Sequence, residues 1–112
     1  MQSISPTDLK SIRDDITLID VRKPKARLVS GRALSGSVWR HPFDARNWAQ
    51  QFTGHQLVIC CVHGHEVSQA VCGYLRDVGL DCRYVDGGME AMIAVGFATD
   101  ELAVTEADSA GI

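Results

Sequence analysis

The stretch Leu57-Val58-Ile59-Cys60-Cys61-Val62-His63-Gly64-His65-Glu66-Val67-Ser68-Gln69-Ala70 limits the choice of folds more than any other part of the chain. It starts as an apolar run of strand length and ends where helical spacing sets in. Val67, Val71, Tyr74, Leu75 and Val78 recur on one face of that helix, and Gly79 supplies its stop. The turn between strand and helix is tight and has a cysteine at its entrance. Cys61 therefore sits at the carboxyl end of a strand and faces a helix N-terminus, with its unpaired N–H groups and positive dipole end. Both features favour a thiolate and bound anions, so Cys61 reads as a nucleophile.

The rest of the chain continues the alternation. Ser5-Pro6-Thr7-Asp8 has a capping serine, a proline at the first helical position and an acid three residues after the cap. Leu9 and Ile12 would face inward from that helix. Thr17 to Val21 reads as a buried strand that stops at Arg22-Lys23-Pro24. A short helix near Pro24 to Val29, a minor strand at Ser37-Val38-Trp39 and a helix from Asp44 to about Gln51 follow. Cys82 to Val85 is the next strand, closed by Asp86-Gly87-Gly88. Met89 to Val95 makes the last helix, with Met89, Met92 and Ile93 on one face. From Ala98 to Ile112 the chain is acidic and aperiodic, and its last ten or so residues are expected to be mobile.

Strands alternating with helices imply a parallel sheet covered on both faces, with ligands beyond the carboxyl ends of the strands. Three strand ends would then meet on one rim: Asp20 to Arg22, Trp39 to Arg40, and Cys61. Arg22 and Arg40 become candidate neighbours of the thiol. Asp20 and Arg22 are expected as a structural ion pair or turn support, and Trp39 and Trp48 as packing.

A chain of 112 residues supports one domain with one core. A net charge of −3 speaks against a dedicated nucleic-acid binder, although seven of the eleven basic residues fall between Arg22 and Arg46. That cluster is either a solvated basic face or a field that draws in small anions. No run resembles a signal peptide or is long enough to cross a membrane. Four cysteines without C-x-x-C spacing read as free thiols in a reduced, cytoplasmic protein, monomeric or weakly dimeric. Cys60 is expected to pack into the sheet, Cys72 to lie at the flank of the main helix and Cys82 to begin a strand. A resolving thiol at Cys72 or Cys82 would turn the site into a redox switch. Cys61-x-His63-x-His65 matches no common zinc spacing, so neither metal nor cofactor is expected.

Asp20-Val21-Arg22 at a strand end, the Leu34-Ser35-Gly36-Ser37-Val38 turn, Cys61 followed by Gly64, and Asp86-Gly87-Gly88-Met89-Glu90-Ala91 before the last helix together resemble the rhodanese-like sulfurtransferase domain. The resemblance covers about residues 5 to 97, with 98 to 112 as a tail. It implies an α/β fold with a five-stranded parallel sheet and helices on both faces. It also implies that Cys61 takes a sulfane sulfur from thiosulfate or a similar anionic donor, becomes a persulfide, and passes the sulfur to a thiol or cyanide-type acceptor. The backbone N–H groups of Val62, His63, Gly64, His65, Glu66, Val67 and Ser68 would form a nest for the anion, with Gly64 supplying a positive φ. Ser68 would cap the helix or join the nest, while Arg40, His63 and His65 are candidate substrate contacts. A thiol at an open rim would also make Cys61→Ser nearly neutral for stability.

The sequence departs from the family pattern in its loop. Many active members carry arginine or lysine after the cysteine or late in the loop, where this chain has Val62 and Glu66. Ser68 comes seven positions after Cys61, one more than is common. A longer loop is the mark of the related cell-cycle dual-specificity phosphatases and arsenate reductases, but those place an arginine where this chain has Val67. An arsenate reductase or phosphatase-like enzyme therefore stays open as an alternative, as does a non-catalytic module that binds a partner or senses oxidation.

Overall fold

The computed structural model of the chain describes residues 2–102. Strand β5 (Gln56–Cys60) lies at the centre of a five-stranded parallel sheet, as expected. It is flanked by β2 (Thr17–Asp20) and β6 (Asp81–Val85), and these by β4 (Val38–Trp39) and β1 (Ser3–Ile4). A central parallel strand is buried on both faces, which is why Leu57 to Cys60 is apolar throughout rather than alternating.

Alternate residues of this run serve two separate cores. Leu57, Ile59 and Cys61 point to one face, where Trp48 of α3 (Ala45–Trp48) and Val71, Cys72 and Leu75 of α4 (Glu66–Asp77) meet them. Val58 and Cys60 point to the other, against Leu9 of α1 (Pro6–Ser11) and Met89 and Met92 of α5 (Gly88–Ala94). Each buried aliphatic side chain is worth about 1.5–3 kcal/mol, so a one-residue slip would forfeit several at once. The same register decides the chemistry, because it sends Cys61 and not Cys60 to the face under the amino end of α4.

Several details differ from the sequence reading. Cys72 is fully buried rather than at the helix flank, whereas Val78 at the helix end and Ile93 of α5 are about half exposed. The helix after Asp44 is split, with 3₁₀ turns at Pro42–Asp44 and Ala49–Phe52 on either side of α3. A tail beginning at Ala98 is corrected: β7 (Thr99–Glu101) pairs antiparallel with β3 (Arg32–Leu34), and the Leu102 N–H donates to Gly31 at 2.8 Å. This ribbon is held by polar contacts, Arg32 Nε to Thr99 Oγ1 at 2.8 Å and Ser35 Oγ to Asp100 Oδ1 at 3.0 Å, so no hydrophobic period announces it. Residues 103–112, where mobility was expected, lie outside the described residues.

Candidate active site

Cys61 is the first residue past β5, and the loop 61–65 carries the chain from it to α4. The Gly64 N–H donates to Cys61 Sγ at 3.3 Å, and the thiol donates to Ser68 Oγ at 3.2 Å. When the thiol loses its proton, the Ser68 hydroxyl can turn and donate instead, so the thiolate accepts two hydrogen bonds where the thiol accepted one. The amino end of α4 adds its dipole to the same effect. Ser68 lies in the first turn of α4 with no exposed surface, and no side chain caps the helix from His65. Of its two expected roles, the structure shows the one at the sulfur.

The loop keeps this shape because it is docked backbone to backbone. Met89 N–H donates to the Cys61 carbonyl at 2.8 Å and Glu90 N–H to the Val62 carbonyl at 3.3 Å, so the amino end of α5 holds the loop's first two residues. Gln69 Nε2 donates to the Gly64 carbonyl at 3.1 Å from within α4. Gly64 and Gly88 adopt φ of +72° and +63°. A Cβ on Gly64 would lie 2.5 Å from the Val85 carbonyl oxygen, and one on Gly88 would lie 2.5 Å from that of Cys61. Gly64 thus provides the expected left-handed turn, and Gly88 provides the close approach that the Asp86-Gly87-Gly88 sequence only hinted at.

Cys61 is only 6% exposed and belongs to the core, so the expectation of a thiol on an open rim is corrected. Its surface is reached through a pocket of about 480 Å³. Val62, His63, His65, Glu66 and Val67 form one wall; Arg22, Lys23 and Ala26 form the other. Because the sulfur contributes to the core, Cys61→Ser also loses the reason given for its neutrality.

The charges around the pocket are partly committed. Arg22 is buried and paired with Asp20, Nη2 to Oδ2 at 2.8 Å, with a further bond to the Arg32 carbonyl at 2.7 Å. This is the expected structural ion pair, and it ties β2 to β3. Lys23, passed over in the sequence as part of a strand-ending run, is exposed at the pocket wall. His63 is held by its Nδ1 against Glu90 Oε2 at 3.0 Å, and its ring lies 6.4 Å from that of His65.

Arg40 is not brought to the pocket. Its guanidinium bonds Gln51 Oε1 at 3.1 Å and the Trp39 carbonyl at 2.8 Å, and it stacks over Phe52. The physical reason is the strand order: β4 is two strands from β5, roughly 10 Å away at ordinary interstrand spacing. The other thiols are also remote or inert. Burial, followed by the Asp20 carboxylate, pushes the Cys60 thiol far up. A hydrogen bond between Cys72 and Cys82 lowers the first and raises the second. Cys82 pairs in register with Leu57, at the opposite end of β5 from Cys61, which is no place for a resolving thiol.

Comparisons with known proteins bear on the family and the fold. The family model described as Rhodanese-like domain matches residues 5–94. A rhodanese-related protein from Thermoplasma volcanium superposes with a TM-score of 0.79 at 25% identity, over 89% of this chain and 98% of that one. A Rhodopseudomonas palustris protein described as a possible tyrosine phosphatase gives 0.79 at 18% identity, over 89% of this chain and 85% of its own. A thiosulfate sulfurtransferase from Pseudomonas aeruginosa gives 0.76 at 17% identity, over 90% of this chain but only 19% of that protein. A search of the curated proteins finds no match.

Proposed function

From the premise that the chain belongs to the rhodanese-like domain family, we propose that it is a sulfurtransferase working through a persulfide on Cys61. The observation that carries this reading is the placement of Cys61 Sγ, against the Gly64 N–H and the Ser68 hydroxyl, at a pocket open to solvent. In the first half-reaction the thiolate attacks the outer sulfur of thiosulfate, the S–S bond of the donor breaks, and sulfite leaves with the bonding pair. The product is Cys61–S–S⁻, whose terminal charge needs nearby donors and positive potential. In the second, a nucleophile such as cyanide or a thiolate attacks the terminal sulfur and Cys61 leaves as thiolate. No redox partner or cofactor enters the balance.

A phosphatase reading has less support. Phosphoryl transfer needs a cation fork at the developing oxyanion, and Val67 occupies the position where the related phosphatases have arginine. The likeness to the Rhodopseudomonas protein, at 18% identity, speaks for the fold alone. Supplying thiosulfate with cyanide, and a phosphate ester in parallel, should yield thiocyanate and no ester hydrolysis. Ester turnover without thiocyanate would overturn the proposal.

Two variants probe the site. Ser68→Ala removes the hydroxyl that reaches the sulfur and should slow loading by about tenfold, the rate equivalent of a hydrogen bond to a charged group. Unchanged loading kinetics would remove Ser68 from the mechanism. Glu66→Arg reverses a charge on the pocket wall, and kcat/KM for thiosulfate should rise about fivefold at low salt and less at high salt. Because Glu66 also opposes the helix dipole favourably, that variant should lose about 0.5–1 kcal/mol of stability.

A further inference from the structure

The pocket at Cys61 does not end at Val62. A groove of about 550 Å³ continues from it between α2 (Pro24–Ser30) and α5, sharing Arg22, Lys23, Ala26 and Val62 with the cysteine pocket. Its floor and far wall are apolar, formed by Val29, Met89 and Ile93, and Val29 is 80% and Ile93 48% exposed. Lys23 and Lys25 stand at the edge, both exposed and neither with an ion-pair partner among the described residues. The Lys23 ammonium lies over the Phe43 ring, 5.7 Å from its centroid, which leaves Lys25 as the cation with no partner among the described residues. Glu90, the acid in the groove, lies with its Oε2 3.0 Å from His63 Nδ1, both side chains more than half exposed. Thiosulfate is a small, fully hydrophilic dianion and has no use for an apolar trough of this size, which is in the range of small-molecule sites.

We infer that this groove binds the sulfur acceptor, and that the acceptor is a small thiol with an unbranched apolar arm ending in an anionic group. This rests on the sulfurtransferase reading and names the substrate of its second half. The thiol end would lie at Cys61, the arm would run over Val62 toward Val29 and Ile93, and the anion would face Lys23 and Lys25. The acceptor enters as RS⁻, its proton having gone to the buffer. It attacks the terminal sulfur of Cys61–S–S⁻, the Cys61 S–S bond breaks, and RSS⁻ departs with Cys61 returned as thiolate.

The test separates the two halves. Wild-type protein is first loaded with thiosulfate and followed by intact mass, then offered mercaptoacetate, mercaptohexanoate, mercaptooctanoate and mercaptohexanol. The acceptor kcat/KM should rise about threefold for each methylene added between mercaptoacetate and mercaptooctanoate. Mercaptohexanoate should exceed mercaptohexanol about fivefold, and Lys25→Gln should shrink that preference. Val29→Asp, a surface change, should flatten the chain-length dependence. Loading without any such dependence overturns the groove while leaving the sulfurtransferase reading standing. Failure to load overturns that reading instead, and the groove is then judged by titration with octanoate, which needs no chemistry. Amide NMR shifts concentrated at Val29, Met89 and Ile93 support it, and scattered or absent shifts overturn it. A dimer in sedimentation that Val29→Asp dissociates would put a second copy of the chain in the groove and also overturn the inference.

Discussion

Gly88→Ala should cost about 2–5 kcal/mol of folding stability and abolish sulfur transfer in whatever fraction remains folded. Two terms add. A non-glycine residue at φ +63° carries roughly 1–2 kcal/mol of backbone strain. The new Cβ would also meet the carbonyl oxygens of Cys61 and Val62 and the Gly64 amide nitrogen at 2.5 to 2.6 Å. These are backbone atoms of a docked loop and cannot rotate away as a side chain does, so overpacking adds about 1–3 kcal/mol. The relief available is to push the loop off α5, and that moves Cys61. Gly79→Ala is the matched control: its φ is +93°, but a Cβ there meets nothing within 4 Å. It should show the strain alone, near 1 kcal/mol, with full activity. Urea denaturation of both variants measures the difference. Equal losses would mean that the backbone contact between the loop and the Gly87-Gly88 turn contributes nothing beyond conformation.

Cys61→Ala should eliminate sulfur transfer altogether, whereas Cys60→Ala should weaken the fold and keep the chemistry. The two thiols are chain neighbours and both are nearly inaccessible, at 6% and 2% exposed, so exposure alone does not separate them. Orientation does. Cys60 faces the core under α1 and α5, where burial raises its thiol and keeps it protonated. Its sulfur donates to the Cys61 carbonyl at 3.4 Å and behaves as a small apolar group. Truncating it leaves a small cavity worth about 1–2 kcal/mol. Cys61 instead meets the Gly64 amide and the Ser68 hydroxyl at the pocket. A mild alkylating agent should therefore modify Cys61 ahead of Cys60, Cys72 and Cys82. Preferential labelling of any other thiol, or residual thiocyanate formation by Cys61→Ala, would move the nucleophile elsewhere.

The strands and helices that bury apolar surface were legible because burial writes a period into the sequence. The continuous run Leu57 to Cys61 and the helical spacing after Val67 placed Cys61, its loop and the parallel sheet. What escaped was held together by polar or backbone contacts, which leave no such mark. The ribbon of β3 and β7 depends on Arg32, Thr99, Ser35 and Asp100. Strand β1 is two residues long and pairs at the sheet's edge, too short for any pattern. The site shows the same division. Cys61, Gly64 and Ser68 followed from strand end, turn and helix start. Arg40 was misplaced because sharing a rim says nothing of how many strands lie between two residues. Lys23 was missed because a basic run after a strand gives no sign of which member faces the pocket. Ile93 was assigned inward because a short helix of apolar residues has more candidates for its buried face than that face can hold.

The central claim is that the sulfur of Cys61, held by the loop amide and Ser68, is the atom that accepts sulfane sulfur. Intact-mass measurement after incubation with thiosulfate, followed by peptide mapping, tests it directly. The wild-type chain should gain one sulfur atom, carried on the peptide containing Cys61 and removed by cyanide, and Cys61→Ala should gain none. A wild type that gains nothing, or a Cys61→Ala variant that loads as readily, would contradict the account.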